Sequence, residues 1–208
     1  MSNYAPLEKR YKADEFLRYV ELEKQKSGNK NTFYELINGR IYMMASPNMT
    51  HSDVSDFIEE EFKSYFSDKA CIVKHAPVDL YLFDKRNLAL FDSPETECEN
   101  LFVPDIMIIC DKSKLKKKGV YGAPDLIVEI VSDSSYENDY LRKLNAYRIF
   151  GVREYWIVNP MKEKINLYDM SGKNLFIYDD YTFQSVVKSV IFDNMRIDFN
   201  RFIKVNYD

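Results

Sequence analysis

No stretch of this chain approaches the ~18 consecutive apolar residues of a membrane-spanning helix, and Met1 to Arg10 lacks the hydrophobic run of a signal peptide. Cysteine is scarce: Cys71, Cys98 and Cys110 are odd in number and show no C-x-x-C spacing. Cys71 and Cys110 lie in apolar, strand-like runs and read as ordinary core residues, which suits a reducing compartment. There is no basic excess. The net charge of -4 means that any surface attracting nucleic acid must be local. Repeats, low-complexity tracts and linkers are also missing. What is present is the material of a core. The 208 residues are 46% hydrophobic and 15% aromatic, with sixteen Tyr and fourteen Phe, enough for one well-buried domain and short for two. These features point to a soluble, cytoplasmic protein with no membrane partner.

The local signals alternate between helix and strand. Asp14 is the expected N-cap of a helix to about Lys26, stopped by Ser27-Gly28. Asn38-Gly39 between apolar-alternating runs over 32–45 predicts a two-residue hairpin. Asn48 or Thr50 caps a helix to about Phe66, with Val54, Phe57, Ile58, Phe62 and Tyr65 at helical spacing. Strands are expected over 71–73, 78–83, 103–110, 124–131 and 153–158. Residues 84–102 read as a polar excursion, and 111–122 as a lysine-rich loop. Ser134 or Ser135 caps a further helix to about Phe150, ended by Gly151. Short strands fill 164–202, with a turn at Ser171-Gly172. One mixed α/β domain over 1–208 is the economical reading.

The run Asp125-Leu126-Ile127-Val128-Glu129-Ile130-Val131 carries the chemistry. Its apolar, mostly β-branched residues require a core on both faces, yet Glu129 sits in the middle. An ionised carboxylate there costs several kcal/mol unless something neutralises it. Asp105 opens a second strongly apolar strand. Two acids on neighbouring core strands make a natural divalent-metal site, and Mg²⁺ suits one or two carboxylates with waters and phosphate oxygens. Tyr136, Tyr140, Lys143 and Tyr147 share one helical stripe. Lys143 thus occupies a position expected to be apolar and can reach over the sheet toward the acids. An ammonium beside two metal-binding carboxylates answers the needs of phosphodiester hydrolysis.

Plainer readings compete at each position. Glu129 can pair structurally with an Arg or Lys. Lys143 can lie half-exposed on its tyrosine neighbours. Glu35 can be an exposed hairpin acid, and His51 a capping or surface histidine. Asp125 reads as a strand-opening residue. The run Lys112, Lys114, Lys116, Lys117 and Lys118 is either a solvated loop or a phosphate contact. Tyr155 and Trp156 read as core or interface.

The order Pro104-Asp105, Glu129 and then a lysine on the next helix resembles the PD-(D/E)xK nuclease superfamily with a migrated lysine, since Val131 holds the usual lysine position. The block Gly122 to Ser132, the residues Asp139, Lys143 and Tyr147, and the string Gly151-Val152-Arg153-Glu154-Tyr155-Trp156-Ile157-Val158-Asn159-Pro160 resemble a widespread bacterial family of restriction-endonuclease-like proteins. Tyr34 to Gly39 and Ser46-Pro47 to His51 are similar to its N-terminal part. The likeness spans roughly 10–170, while residues 83–103 are longer and more acidic than the family pattern. It implies an α/β fold with a mixed central sheet flanked by helices, a core over about 32–160, an extra N-terminal helix and hairpin, and C-terminal strands. It further implies Mg²⁺ or Mn²⁺ at Asp105 and Glu129, Lys143 as the catalytic lysine, and Glu35 and His51 as supporting residues. The resulting expectation is a metal-dependent endonuclease acting on DNA, working as a homodimer. The alternative is a catalytically inactive nucleic-acid-binding or homo-oligomeric protein on the same fold.

Overall fold

A computed structural model describes residues 9–28, 32–44, 46–83, 96–131, 138–172 and 177–207. The first helix, α1 (Ala13–Ser27), begins two residues earlier than Asp14 as N-cap would set it. Lys12 is the N-cap, because Glu15 reaches back to accept from the Lys12 amide at 3.2 Å, half of a capping box. Asp14 instead lies in the first turn, where its charge suits the helix dipole, and it pairs with Arg18 at 3.0 Å. Gly28 closes the helix at φ 66°.

Strands β1 (Phe33–Ile37) and β2 (Arg40–Met44) form the expected hairpin. Asn38 at φ 49° and Gly39 at φ 72° both take the left-handed backbone of a type I′ turn. Helix α2 (Met49–Phe66) follows, with the Asn48 side chain accepting from the His51 amide at 2.9 Å.

The remaining strands are β3 (Ile72–His75), β4 (Leu80–Tyr81), β5 (Leu101–Phe102), β6 (Ile106–Ile109), β7 (Leu115–Lys116), β8 (Gly119–Tyr121), β9 (Leu126–Ile130), β10 (Glu154–Asn159), β11 (Lys164–Asp169), β12 (Ile177–Thr182), β13 (Val186–Lys188) and β14 (Arg196–Asp198). One six-stranded sheet has the order β2-β1-β5-β4-β8-β7; the other runs β12-β11-β10-β9-β6-β3, and β13 and β14 pair separately. Strands β9 and β10 are parallel, as a strand-helix-strand crossover requires. The crossover holds a π-helical turn (Asn138–Lys143) running into α3 (Leu144–Phe150), which ends at Gly151. The expected caps Ser134 and Ser135, together with Tyr136, lie outside the described residues.

Three local expectations are corrected. Leu101 and Phe102 form β5 instead of part of the polar excursion, because they are buried against β1 and β4. The lysine-rich loop contains the hairpin β7–β8, with β7 at the sheet edge and β8 paired to β4 on its other side. Cys71 and Cys110 are not unbridged core residues but a disulfide. The antiparallel register of β3 and β6 sets Ile72 opposite Ile109, and one step further it brings the two cysteines together.

Side-chain alternation along β9 decides where the chemistry lies. Leu126, Val128 and Ile130 pack with α2 residues Val54, Ile58 and Phe62 in one core. Ile127 and Val131 pack in a second core with β4, β5 and α3, including Phe102 and Tyr147. Glu129 has the parity of Ile127 and Val131, so it faces the layer between the second sheet, α3 and the first sheet.

Candidate active site

Four elements bring acids and a lysine to that layer. On β6, Ile106 and Ile108 belong to the α2 core, and Met107 and Ile109 to the other. Asp105 therefore shares the parity of Met107. The register pairs Ile106 with Val128, and its continuation sets Asp105 opposite Glu129. The strand ends here, and Asp105 Oδ2 accepts from the Ile130 amide at 2.7 Å. On β1, Ile37 joins the second core, so Glu35 points the same way.

Lys143, the last residue of the π-helical turn, lies between the acids. Its Nζ is 3.0 Å from Glu35 Oε2 and 3.0 Å from Glu129 Oε1. Lys143, Glu35 and Glu129 are 1%, 2% and 3% exposed, so this is a buried ion cluster, not a surface pair. The plain readings of Glu35 as an exposed hairpin acid and Lys143 as a half-exposed helix residue therefore do not hold. Glu35 also accepts from the Val103 amide at 3.0 Å, which ties the hairpin to the segment leading to Asp105. His51, in the first turn of α2, places Nε2 3.3 Å from Asp105 Oδ2. The expected set Asp105, Glu129, Lys143, Glu35 and His51 thus lines one cavity of about 500 Å³.

Tyr147 belongs to the cluster, although periodicity alone marked it only as an aromatic neighbour of Lys143. Its hydroxyl donates to Glu129 Oε1 at 2.7 Å. Burial, followed by the charges of Glu129 and Glu35, pushes the phenol well above its ordinary pKa, so it remains a donor. Its place four residues after Lys143 was the available signal. Tyr140 is in the same turn, but its side chain lies outside the described residues, as Tyr136 does.

Other candidates fall elsewhere. Asp125 is structural: it accepts from the Cys110 amide at 2.8 Å and pairs with Arg153 at 3.1 Å. Tyr155 and Trp156 are fully buried core residues. None of the lysines from Lys112 to Lys118 lines the cavity. Among the described residues no group of three or more His, Cys, Asp or Glu is arranged to hold a metal ion. The candidate donors are the carboxylates of Asp105 and Glu129, both hard oxygens on the wall of the cavity. Such a set fits Mg²⁺ or Mn²⁺ completed by water and phosphate oxygens better than a softer metal. Counted as ionised, two buried carboxylates around one ammonium leave a negative charge that a cation would offset.

Residues 13–189 match the Uma2 family, described as "Putative restriction endonuclease". The fold is similar to the crystal structure of a "putative nuclease belonging to DUF820" from Anabaena variabilis. The TM-score is 0.62 at 16% identity, over 86% of this chain and 89% of that one. An uncharacterized protein of Synechocystis is 22% identical over 156 residues, which is 74% of this chain and 72% of the relative. The fold is thus the mixed α/β, nuclease-like one that the sequence led us to expect. No helix among the described residues is long and apolar enough to cross a membrane.

Proposed function

Because this chain belongs to the Uma2 family, we propose that it is a metal-dependent DNA endonuclease that hydrolyses phosphodiester bonds. The observation that supports this best is the buried Lys143 ammonium, 3.0 Å from both Glu35 and Glu129, with Asp105 hydrogen-bonded to the residue after Glu129. Asp105 and Glu129 would hold Mg²⁺ or Mn²⁺. Such an ion, when bound, neutralises phosphate charge and lowers the pKa of an attacking water.

The chain's own groups do the rest. Lys143 donates from Nζ, orienting the water and stabilising negative charge on the phosphate oxygens. Glu35 and Tyr147 fix the lysine and Glu129 in position, so little reorganisation is needed on reaction. His51 steadies Asp105. A cytoplasmic setting is part of the proposal, and the Cys71–Cys110 disulfide is the observation that stands against it.

The test is cleavage of supercoiled plasmid, linear duplex and single-stranded DNA with Mn²⁺, Mg²⁺ or EDTA, using the parent and Glu129→Gln. Gln keeps the size and an acceptor for Tyr147 but loses a charge that holds the ion. Cleavage should fall by about 100-fold or more in the variant. Lys143 retains Glu35 as a partner, so the variant should stay folded, and added Mn²⁺ should raise the melting temperature of the parent alone. Equal cleavage by parent and variant would exclude this site. A parent that neither binds Mn²⁺ nor cuts any DNA form would leave the non-catalytic binding protein.

A further inference from the structure

We propose that the cavity takes one unpaired nucleotide, so that the strand presented to Asp105 and Glu129 is single-stranded DNA and not a straight duplex. The inference rests on the nuclease reading and narrows its substrate. Phe33 shares a strand face with Glu35, two residues along β1, or about 6.8 Å at antiparallel spacing. Met44 is its cross-strand partner, and both line the cavity. Phe33 is 41% exposed, a large aromatic ring left at the mouth of an ionic site and not withdrawn into a core. Pro47, Val131 and the exposed Met161 continue the apolar lining.

Duplex and single-strand binding both set Lys or Arg against phosphates, so it is the apolar lining that distinguishes the two. Among the described residues lining the cavity, Lys143 is the one lysine or arginine, and it is held between Glu35 and Glu129. An apolar wall with an aromatic ring suits the face of an unstacked base. A volume of about 500 Å³ is that of a small-molecule pocket, the scale of one nucleotide. With a base against Phe33, the adjoining phosphate falls toward the acids two strand residues away.

The test measures fluorescence anisotropy of a labelled short oligothymidylate and of a blunt hairpin duplex, with Ca²⁺ replacing Mg²⁺ to hold off cleavage. The parent should bind the single strand at least 10-fold more tightly than the duplex. Phe33→Ala should weaken single-strand binding by about 5- to 150-fold, the range for loss of one base-aromatic contact. Phe33→Trp should restore it, and all three proteins should melt alike. Equal affinity for the two probes, or tighter binding of the duplex, with no effect of Phe33→Ala, overturns the inference while the nuclease reading stands. Binding of neither probe, with no cleavage by Mn²⁺-loaded parent, overturns both.

Discussion

Replacing Lys143 with Met tests whether the buried cluster is held together by its one ammonium. Met matches the lysine stem in length and apolar character, so the change removes charge without opening a large cavity. What remains is Glu35 and Glu129, nearly inaccessible to water and both formerly 3.0 Å from the same nitrogen. Removing one partner of a buried ion pair costs about 3–5 kcal/mol, mostly the desolvation of the charge left behind. Here two carboxylates share that loss, while the Tyr147 and Val103 hydrogen bonds limit it. For a chain of this size the cost corresponds to a fall in Tm of roughly 6–20 °C at neutral pH. The sign of the pH dependence follows. Two facing carboxylates without an ammonium bind a proton more tightly folded than unfolded, so their folded pKa lies above the unfolded value. Stability of the variant should therefore return as pH falls, and be lost as pH rises through that raised value. Calorimetry of parent and variant from acid to neutral pH measures this. A variant that melts with the parent at neutral pH, or whose deficit does not shrink in acid, would refute the reasoning.

Two further changes probe neighbouring groups. Tyr147→Phe removes the hydroxyl that donates to Glu129 and should cost about 1–3 kcal/mol, with cleavage reduced far less than by Glu129→Gln; denaturant melts and the plasmid assay read the two effects. Glu154 is fully buried and accepts from Trp156 Nε1, Ser189 Oγ and the Val190 and Ile191 amides. Glu154→Gln turns an amide donor toward that ring of donors and should also cost about 1–3 kcal/mol. Burial raises the Glu154 pKa, so the parent binds a proton more tightly when folded. Its advantage over the non-titrating variant should be largest in acid and shrink as pH rises through the raised value; a gap constant with pH would count against that assignment.

The reach of the sequence depended on whether a signal was local. Glu129 stood out because an ionisable residue interrupts an apolar run, and its facing follows from strand parity alone. Asn38-Gly39 specified its turn, since both residues must adopt positive φ. Lys143 broke a helical stripe of tyrosines, which a pattern of 3.6 residues makes visible. The contact of Glu35 with Lys143 could not be read in this way. It joins an N-terminal hairpin to a turn late in the chain, and only the packing of one sheet on the other creates it. The same limit hid the disulfide, because Cys71 and Cys110 meet through the register of two strands and not through their spacing. Phe33 was missed for a different reason. A half-exposed ring at a strand end is unremarkable in sequence, and it acquires meaning only when the parity of β1 sets it beside Glu35 on the wall of the cavity. Local chemistry thus identifies which residues are out of place, and tertiary packing decides which of them stand together. At this site, the lysine out of place on its helix and the glutamate out of place in its strand are each other's compensation.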